Sequence, residues 1–247
     1  MKLTETNIRE KNFHNKLQSE KKGRFENVFY KAINNMNEDF NILIKKNAQG
    51  SIILDYGCGT GIFSERISNS NPKKIFGIDI SEISIDKAKK RAQEFKFNAE
   101  FKVDNCEKTS FSNNTFDIVF GSGIIHHLVT EKSLNEIDRI LKPNGKFIFM
   151  EPLGTNPIIN FYRKITPKSR SHDEHPLINK DLMYIEKKFK DMKIKYYGLM
   201  TLVFFPFYNQ PQKSKFFKFL SSLDQFLFKF KFFRIFAWSV LITAKKI

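Results

Sequence analysis

From residue 51 onward the apolar positions fall into short runs separated by amphipathic stretches of helix length, and the two kinds of segment alternate. The runs SIILDYG (51–57), KIFGIDIS (74–81), AEFKVDN (99–105), FDIVFGSG (116–123) and GKFIFMEP (145–152) are rich in Ile, Phe and Val and end in turn residues. That is the pattern of strands buried on both faces. Between them, 62–68, SIDKAKKRAQEF (84–95) and EKSLNEIDRIL (131–141) carry apolar residues at three- and four-residue steps, which predicts helices. Strands alternating with such helices require crossover connections, so the pattern predicts an α/β fold: a doubly wound, mostly parallel sheet covered on both faces. KIKYYGLMTLVFFPF (193–207) and IFAWSVLITAKK (235–246) read as two further strands, with a helix at 180–191 before them. They bring the sheet to seven strands, with an antiparallel closing strand.

The flanks are patterned differently. Residues 1–24 are polar and basic and read as a flexible arm or a loosely docked helix. Phe25, Val28, Phe29, Ile33, Met36, Phe40, Leu43 and Ile44 then recur at helical spacing, predicting a helix or helix pair over 25–46. The segment 153–178, rich in Pro, Arg, Lys and His, reads as a loop, and 209–234 as an insertion between the last two strands. With no internal repeat and no linker, the chain reads as one domain in three parts, 1–48, 49–152 and 153–247.

Composition agrees with a globular chain: 41% hydrophobic and 28% charged residues, with 11 Gly and 8 Pro, exclude collagen-like and low-complexity classes. Two excesses stand out, a formal charge of +16 and 28 Phe against one Trp. Positive charge attracts any anion, whether nucleic acid, anionic membrane or acidic ligand. Lys, Asn, Ile and Phe are abundant together, as an AT-rich codon pool would also make them, but 12 of the 28 Phe fall within 201–247. Cys58 and Cys106 cannot form a disulfide framework and sit in no metal-ligand spacing. There is no signal-peptide core and no apolar run near the ~20 residues of a spanning helix. The expectation is a cytoplasmic protein.

The strongest local signal is LDYGCGTG (54–61), placed directly after a strand and before a helix. Glycines there permit a sharp turn and close approach of a ligand, and the helix start offers free N–H groups. The spacing GxGxG differs from the GxGxxG of dinucleotide sites, and no Lys-Ser/Thr follows as in a P-loop. Asp79 ends the second strand, where a carboxylate can accept both hydroxyls of a ribose. DYGCGTG, GIDIS, VDNCEKTSFSNNTFDIVFGSGIIHHL and LKPNGKFIFMEP, in this order over roughly residues 50–152, resemble the class I S-adenosylmethionine-dependent methyltransferases.

That resemblance implies a Rossmann-like methyltransferase fold, S-adenosyl-L-methionine as cofactor, a substrate lid in 1–48 and an acceptor side in 153–247. It assigns Asp55 to the methionine ammonium and the backbone of Gly57, Cys58, Gly59 and Gly61 to close passage of the cofactor, with Cys58 as a small packing residue. It gives Asp79 the ribose hydroxyls, Ile80 the adenine face, and Asp104 the adenine amino group, with Asn105 and Cys106 nearby. Gly121 and Ser122 would face the methionine end and the transferred methyl.

Methyl transfer is an in-line displacement driven largely by orientation, and a base is needed only where the acceptor must lose a proton. Candidates are His126 and His127 after the fourth strand, Glu151 at the end of the fifth, and His175 in the cluster His172-Asp173-Glu174-His175. That cluster matches no metal-ligand spacing, so no metal is expected. With Arg163, Lys164, Lys168 and Arg170 close by, it reads as the acceptor-selecting segment. Gly121-Ser122-Gly123-Ile124 stands where base-modifying branches of the family carry Asn/Asp-Pro-Pro-aromatic, which argues against methylation of a base amino group though not against every RNA substrate, and nucleic acid is not the expected partner.

In the insertion, Phe216, Phe219, Leu220, Leu223, Phe226, Leu227 and Phe230 form an apolar helical stripe among Lys213, Lys215, Lys218, Lys229, Lys231 and Arg234. Such a helix reads either as a peripheral membrane contact through 213–235 or as a lid or dimer helix packed on the domain. The sequence therefore predicts a methyltransferase acting on a small-molecule or lipid-linked acceptor. An RNA methyltransferase and a non-catalytic S-adenosylmethionine-binding scaffold are the alternatives.

Overall fold

A computed structural model describes residues 3–19, 28–167 and 171–247. Its seven strands are β1 (Ile52–Tyr56), β2 (Lys74–Asp79), β3 (Ala99–Val103), β4 (Phe116–Ser122), β5 (Leu141–Pro152), β6 (Phe189–Tyr197) and β7 (Ser239–Lys246). They form one sheet in the order β3-β2-β1-β4-β5-β7-β6. Neighbours from β3 to β5 pair in parallel, and β7 runs antiparallel to both β5 and β6. The helices are α1 (Glu5–Ser19), α2 (Asn34–Ala48), α3 (Ile62–Ser68), α4 (Glu82–Glu94), α5 (Thr130–Ile140), α6 (Pro157–Ile165), α7 (Asn179–Lys188), α8 (Met200–Val203), α9 (Lys215–Leu227) and α10 (Lys231–Arg234).

Alternation along the strands explains why their apolar runs are continuous. Leu54, Val119 and Phe147 join one core with Leu134 and Ile137 of α5 and Ile185 of α7. Their neighbours Ile53, Ile118 and Ile148 point the other way, into a second core with Phe40 and Ile44 of α2 and Ile67 of α3. Successive side chains of a strand face opposite sides, and here both sides are covered by helices. The chain winds outward from β1 to β3 and then returns to β4, so the topological switch point lies between β1 and β4. Open α/β sheets place their ligands at the carboxyl ends of the strands beside that point.

Four expectations need correction. The predicted loop 153–178 contains α6, whose start is capped by Asn156 accepting from the N–H groups of Ile158 and Ile159, with Pro157 in the first turn. The predicted strand 193–207 begins earlier, at Phe189, and stops at Tyr197. Gly198 turns the chain with φ +82°, and 200–207 is helical because the buried carboxylate of Asp224 accepts from the N–H groups of Leu199 and Met200 and from the Thr201 hydroxyl. The fifth strand starts at Leu141 rather than 145, directly from α5. The expected final strand from 235 starts at Ser239, after α10.

The N-terminal arm is a docked helix, since Asn7 and Glu10 of α1 are buried. Residues 28–33 form a 3-10 turn leading into α2, which together make the expected helix pair. Residues 20–24 and Phe25, like Lys168 and Arg170, lie outside the described residues. Among the described residues no helix is long and apolar enough to cross a membrane.

Candidate active site

The turn after β1 is held in a shape that few side chains tolerate. Gly57, Gly59 and Gly61 have φ of +73°, +52° and +76°, in the left-handed region where a Cβ is strained. A Cβ on Gly57 would lie 2.5 Å from Ile124 Cγ1, so this glycine lets the turn approach the loop after β4. A Cβ on Gly59 would meet nothing within 4 Å, because the space above that residue is open cavity. The Cys58 N–H donates to the carbonyl of Ile78, while Asp79 accepts from the N–H groups of Gly59 and Ser81, both at 2.9 Å. The end of β2 is thereby tied to the glycine turn. Asp55 is buried and accepts from the Ser64 hydroxyl at 2.7 Å. Burial pushes its carboxyl up to about 7, and burial likewise raises that of Asp79.

These groups open onto one cavity of about 1230 Å³. Of the residues assigned to the cofactor, Asp55, Gly57, Cys58, Gly59, Asp79, Ile80, Asn105, Cys106 and Ser122 line it. Gly61, Asp104 and Gly121 stand behind the wall. Asp104 accepts from the Asn105 N–H and from the N–H and hydroxyl of Ser110, and so shapes the loop that presents Asn105. Gly61 caps α3 against Ala88 and Phe101, and a Cβ on Gly121 would strike Phe149. Burial pushes the Cys58 thiol well up, in keeping with a packing role.

At the ends of β4 and β5 the same cavity meets two buried histidines on a 3-10 turn, Ile125–His127. His126 Nδ1 lies 2.7 Å from Glu151 Oε2, and Glu151 Oε1 accepts from the N–H groups of Ile124 and Ile125 at 3.0 and 2.9 Å. Burial pushes the Glu151 carboxyl up to about 7 despite those bonds. His127 Nδ1 lies 3.1 Å from Glu10 Oε2, whereas its Nε2 is buried without a hydrogen-bond partner. Burial beside His126 lowers the His127 imidazole to about 4, so it is neutral at pH 7. Burial alone would raise Glu10, but contacts with His127, His14 and Ser171 hold its carboxyl far below the usual range.

His175 is not in this wall. It is exposed, and its backbone N–H donates to the carbonyl of His126 at 2.8 Å, which pins the two loops together. Its neighbour Glu174 faces the cavity instead, with Oε1 4.0 Å from His126 Nε2.

The lid expected in 1–48 was given no individual residues; in α1, Asn7, Glu10, His14 and Gln18 line the cavity. Their three- and four-residue spacing was the available signal, a polar stripe where an apolar one is usually sought. Phe29, Tyr30, Leu202, Phe236 and Trp238 complete an apolar chamber beyond the histidines. The insertion helix divides its apolar residues between two uses. In α9, Phe217 and Leu220 are buried on the domain, while Phe216, Phe219 and Phe226 remain exposed. Exposed Ile158, Phe161 and Ile165 of α6, with Val203, Phe207 and Phe232, extend that surface, and Ile158 and Val203 also line the cavity.

A family model described as a methyltransferase domain matches residues 47–197, more than half of the chain. The chain is 35% identical over 119 residues to the demethylmenaquinone methyltransferase of Lactococcus lactis, covering 47% of this chain and 46% of that protein. It is 33% identical over 117 residues to a malonyl-[acyl-carrier protein] O-methyltransferase of Ilyobacter polytropus, covering 46% and 44%. The chain spans about half the length, or less, of the curated relatives it matches. Among solved structures, it is similar in fold to the geranyl diphosphate C-methyltransferase of Streptomyces coelicolor, in complex with Mg2+, geranyl diphosphate and S-adenosyl-L-homocysteine. There the TM-score is 0.67, at 13% identity over 100% of both chains. Phosphoethanolamine N-methyltransferase 2 of Haemonchus contortus, in complex with S-adenosyl-L-methionine, gives 0.67 at 19% identity, covering 99% of this chain and 60% of that one.

Proposed function

This chain belongs to the class I S-adenosylmethionine-dependent methyltransferases, and from that premise we propose that it methylates a small acceptor with an apolar body, reached from an anionic membrane surface. The observation that carries this reading is one continuous cavity running from the glycine turn to an aromatic chamber. At about 1230 Å³ it exceeds the roughly 300–1,000 Å³ of a pocket for one drug-sized ligand, and so has room for two ligands side by side.

The residues present fit the cofactor. The open space above Gly59 is a cradle that any side chain would fill, and a buried carboxylate, Asp55, and a partly buried one, Asp79, reach the cavity wall beside it. Asp55 would hold the methionine ammonium and Asp79 the ribose hydroxyls. Ile80 would pack on the adenine, and the loop shaped by Asp104 would present Asn105 and Cys106 to its edge. When bound, S-adenosylmethionine supplies a methyl group activated by its sulfonium. The protein's part is to exclude water and hold the acceptor atom in line with that methyl.

His126, His127, Glu151 and Glu174 gather at the carboxyl ends of β4 and β5, next to Ser122. They are the polar groups suited to hold the reacting end of the acceptor, while Phe29, Tyr30, Leu202, Phe236 and Trp238 cover its apolar body. Relatives named for demethylmenaquinone and phosphoethanolamine support a small-molecule acceptor. The exposed aromatic rim with its lysines supports approach from a membrane.

Calorimetric titration with S-adenosylmethionine tests the cofactor half. Wild type should bind, and Asp79→Ala should bind at least about tenfold more weakly, since a charge-assisted contact contributes about 1.5–3 kcal/mol. Equal binding by the two proteins would remove Asp79 from the site. Incubation of extracts with methyl-labelled cofactor should then place label in an organic-extractable small molecule. Label confined to RNA would overturn the acceptor class.

A further inference from the structure

We propose that His126, His127 and Glu174 bind a divalent transition-metal ion at the acceptor end of the cavity, with Glu151 and Glu10 orienting the two imidazoles. The site deepens the proposed function, because it faces the chamber given there to the acceptor; the binding of the ion itself does not depend on that reading.

The three groups come from two separate segments, the turn after β4 and the loop before α7, yet one ligand atom of each lies within 4.8 Å of the other two. His126 Nε2 and Glu174 Oε1 are 4.0 Å apart. Ligand atoms about 2.0–2.2 Å from a tetrahedral zinc-like ion are about 3.4 Å from one another, so small side-chain adjustments close the set. His127 is 4% exposed, and its Nε2 is buried in the cavity wall with no hydrogen-bond partner. Such an atom is rare in a folded protein and asks for an explanation, of which an ion is one.

The outer contacts favour the same reading. His126 presents Nδ1 to Glu151 at 2.7 Å and His127 presents Nδ1 to Glu10 at 3.1 Å. Glu151 accepting the Nδ1 proton of His126 leaves the lone pair on its Nε2, the carboxylate–histidine–metal arrangement that fixes tautomer and ring orientation, while Glu10 Oε2 lies close to His127 Nδ1 without completing a hydrogen bond. Glu151 is itself held by two backbone N–H groups, and Glu10 accepts from the Ser171 hydroxyl. A second cluster, Glu10, His14 and His127, also brings three ligand atoms together. It would account for Glu10 Oε2, which is also buried without a hydrogen-bond partner, but its contacts to Glu10 use His127 Nδ1 and leave the buried Nε2 unexplained.

Two imidazoles and one carboxylate suit Zn2+, Mn2+, Fe2+ or Co2+ better than Mg2+ or Ca2+, which favour oxygen-only sets. Three protein ligands leave a coordination position open, and here it would face the cavity. An acceptor hydroxyl bound there would release its proton to water at neutral pH. Its oxygen lone pair then forms the new C–O bond, and the C–S bond breaks with its electron pair going to the cofactor sulfur.

The test uses the whole chain, stripped with chelator and titrated with Co2+, whose visible d–d absorption reports nitrogen and oxygen ligation. Wild type should take up one ion per chain and show that band. Glu174→Gln, a near-isosteric change at a side chain 11% exposed, should weaken Co2+ at least about tenfold. His14→Gln should bind as wild type does, with both variants checked by circular dichroism. A featureless wild-type titration, or undiminished Co2+ binding by folded Glu174→Gln, overturns the proposal. Loss in His14→Gln but not in Glu174→Gln would move the ion to the other cluster and overturn it equally. S-adenosylmethionine binding without Co2+ binding would sink the metal site alone, while Co2+ binding without S-adenosylmethionine binding would sink the proposed function and leave the site standing.

Discussion

Asp55 shows the cost that one buried carboxyl carries. Its carboxyl is 2% exposed and is pushed up by burial to about 7, against about 4 in an unfolded chain. Between those values the folded state holds a proton that the unfolded state has lost, so this group makes stability fall as pH rises from about 4 to 7. Above 7 the full cost is present. Asp55→Asn removes the titration, so its stabilising effect on the ligand-free chain should be larger at pH 8 than at pH 5 by roughly 2–3 kcal/mol. Urea unfolding at the two pH values measures this, and an equal effect at both would show that Asp55 is not held protonated. The same variant should lose affinity for S-adenosylmethionine, because the amide offers the ammonium no charge. Asp55 was legible in the sequence because it sits inside a contiguous motif whose neighbours constrain it. Glu10, 117 positions before His127, was not: the chain between them says nothing about that 3.1 Å approach.

At the scale of elements, the informative departure is 198–207. LMTLVFFPF is apolar and rich in strand-forming residues, and propensity alone extends β6 through it. The buried carboxylate of Asp224, from α9, instead accepts from the backbone at Leu199 and Met200 and from Thr201, starting α8 at the position where an N-cap would act. Asp224→Ala strands those donors in the interior and should destabilise the chain by roughly 3 kcal/mol or more. Asp224→Asn keeps one acceptor oxygen and should cost less. Urea denaturation ranks the two, and indistinguishable losses would mean that the hydrogen bonds do not hold the turn. A similar tertiary effect governs α1. Its polar stripe has no apolar face to announce docking, yet Asn7 donates toward Glu107 and Asn105 donates to Asn7. Hydrogen bonds from loops a hundred residues away seat a helix that reads in isolation as an arm.

Across the whole molecule, part of the Phe excess gathers in aromatic contacts among α6, 204–207, α9 and 232–236. Phe29 contacts Tyr162 of α6 and Phe205, Phe204 contacts Phe216 of α9, and Phe232 contacts Phe236, whose carbonyl accepts from Asn156. Phe161, Phe207, Phe219, Phe226 and Phe232 are more than half exposed, and α6, α9 and α10 also carry the exposed Lys164, Lys215, Lys218 and Lys231. Large aromatic side chains left in water beside lysines fit an anionic bilayer, where rings enter the interface and ammonium groups meet phosphates. Co-sedimentation with phosphatidylserine-containing vesicles should fall severalfold in a Phe219→Ser, Leu223→Ser, Phe226→Ser variant. It should also fall with added salt as the Debye length shrinks. Unchanged pelleting of the folded variant would show that α9 is not the contact.

The sequence by itself determined the alternating α/β architecture, the seven strands and the glycine turn and strand-end carboxylates that line one end of the cavity. Strand and helix periodicities, glycines at positive φ and the carboxylate after β2 are local, and their physical demands are met within a few neighbouring residues. Only the tertiary structure decided which residues line the histidine end. It exchanged His175 for Glu174, set Asp104 behind the wall, brought Glu10 and His14 to His127, and turned part of a predicted strand into α8. Those outcomes depend on long-range hydrogen bonds and on which face of each helix meets the sheet, and neither leaves a periodic trace in the chain.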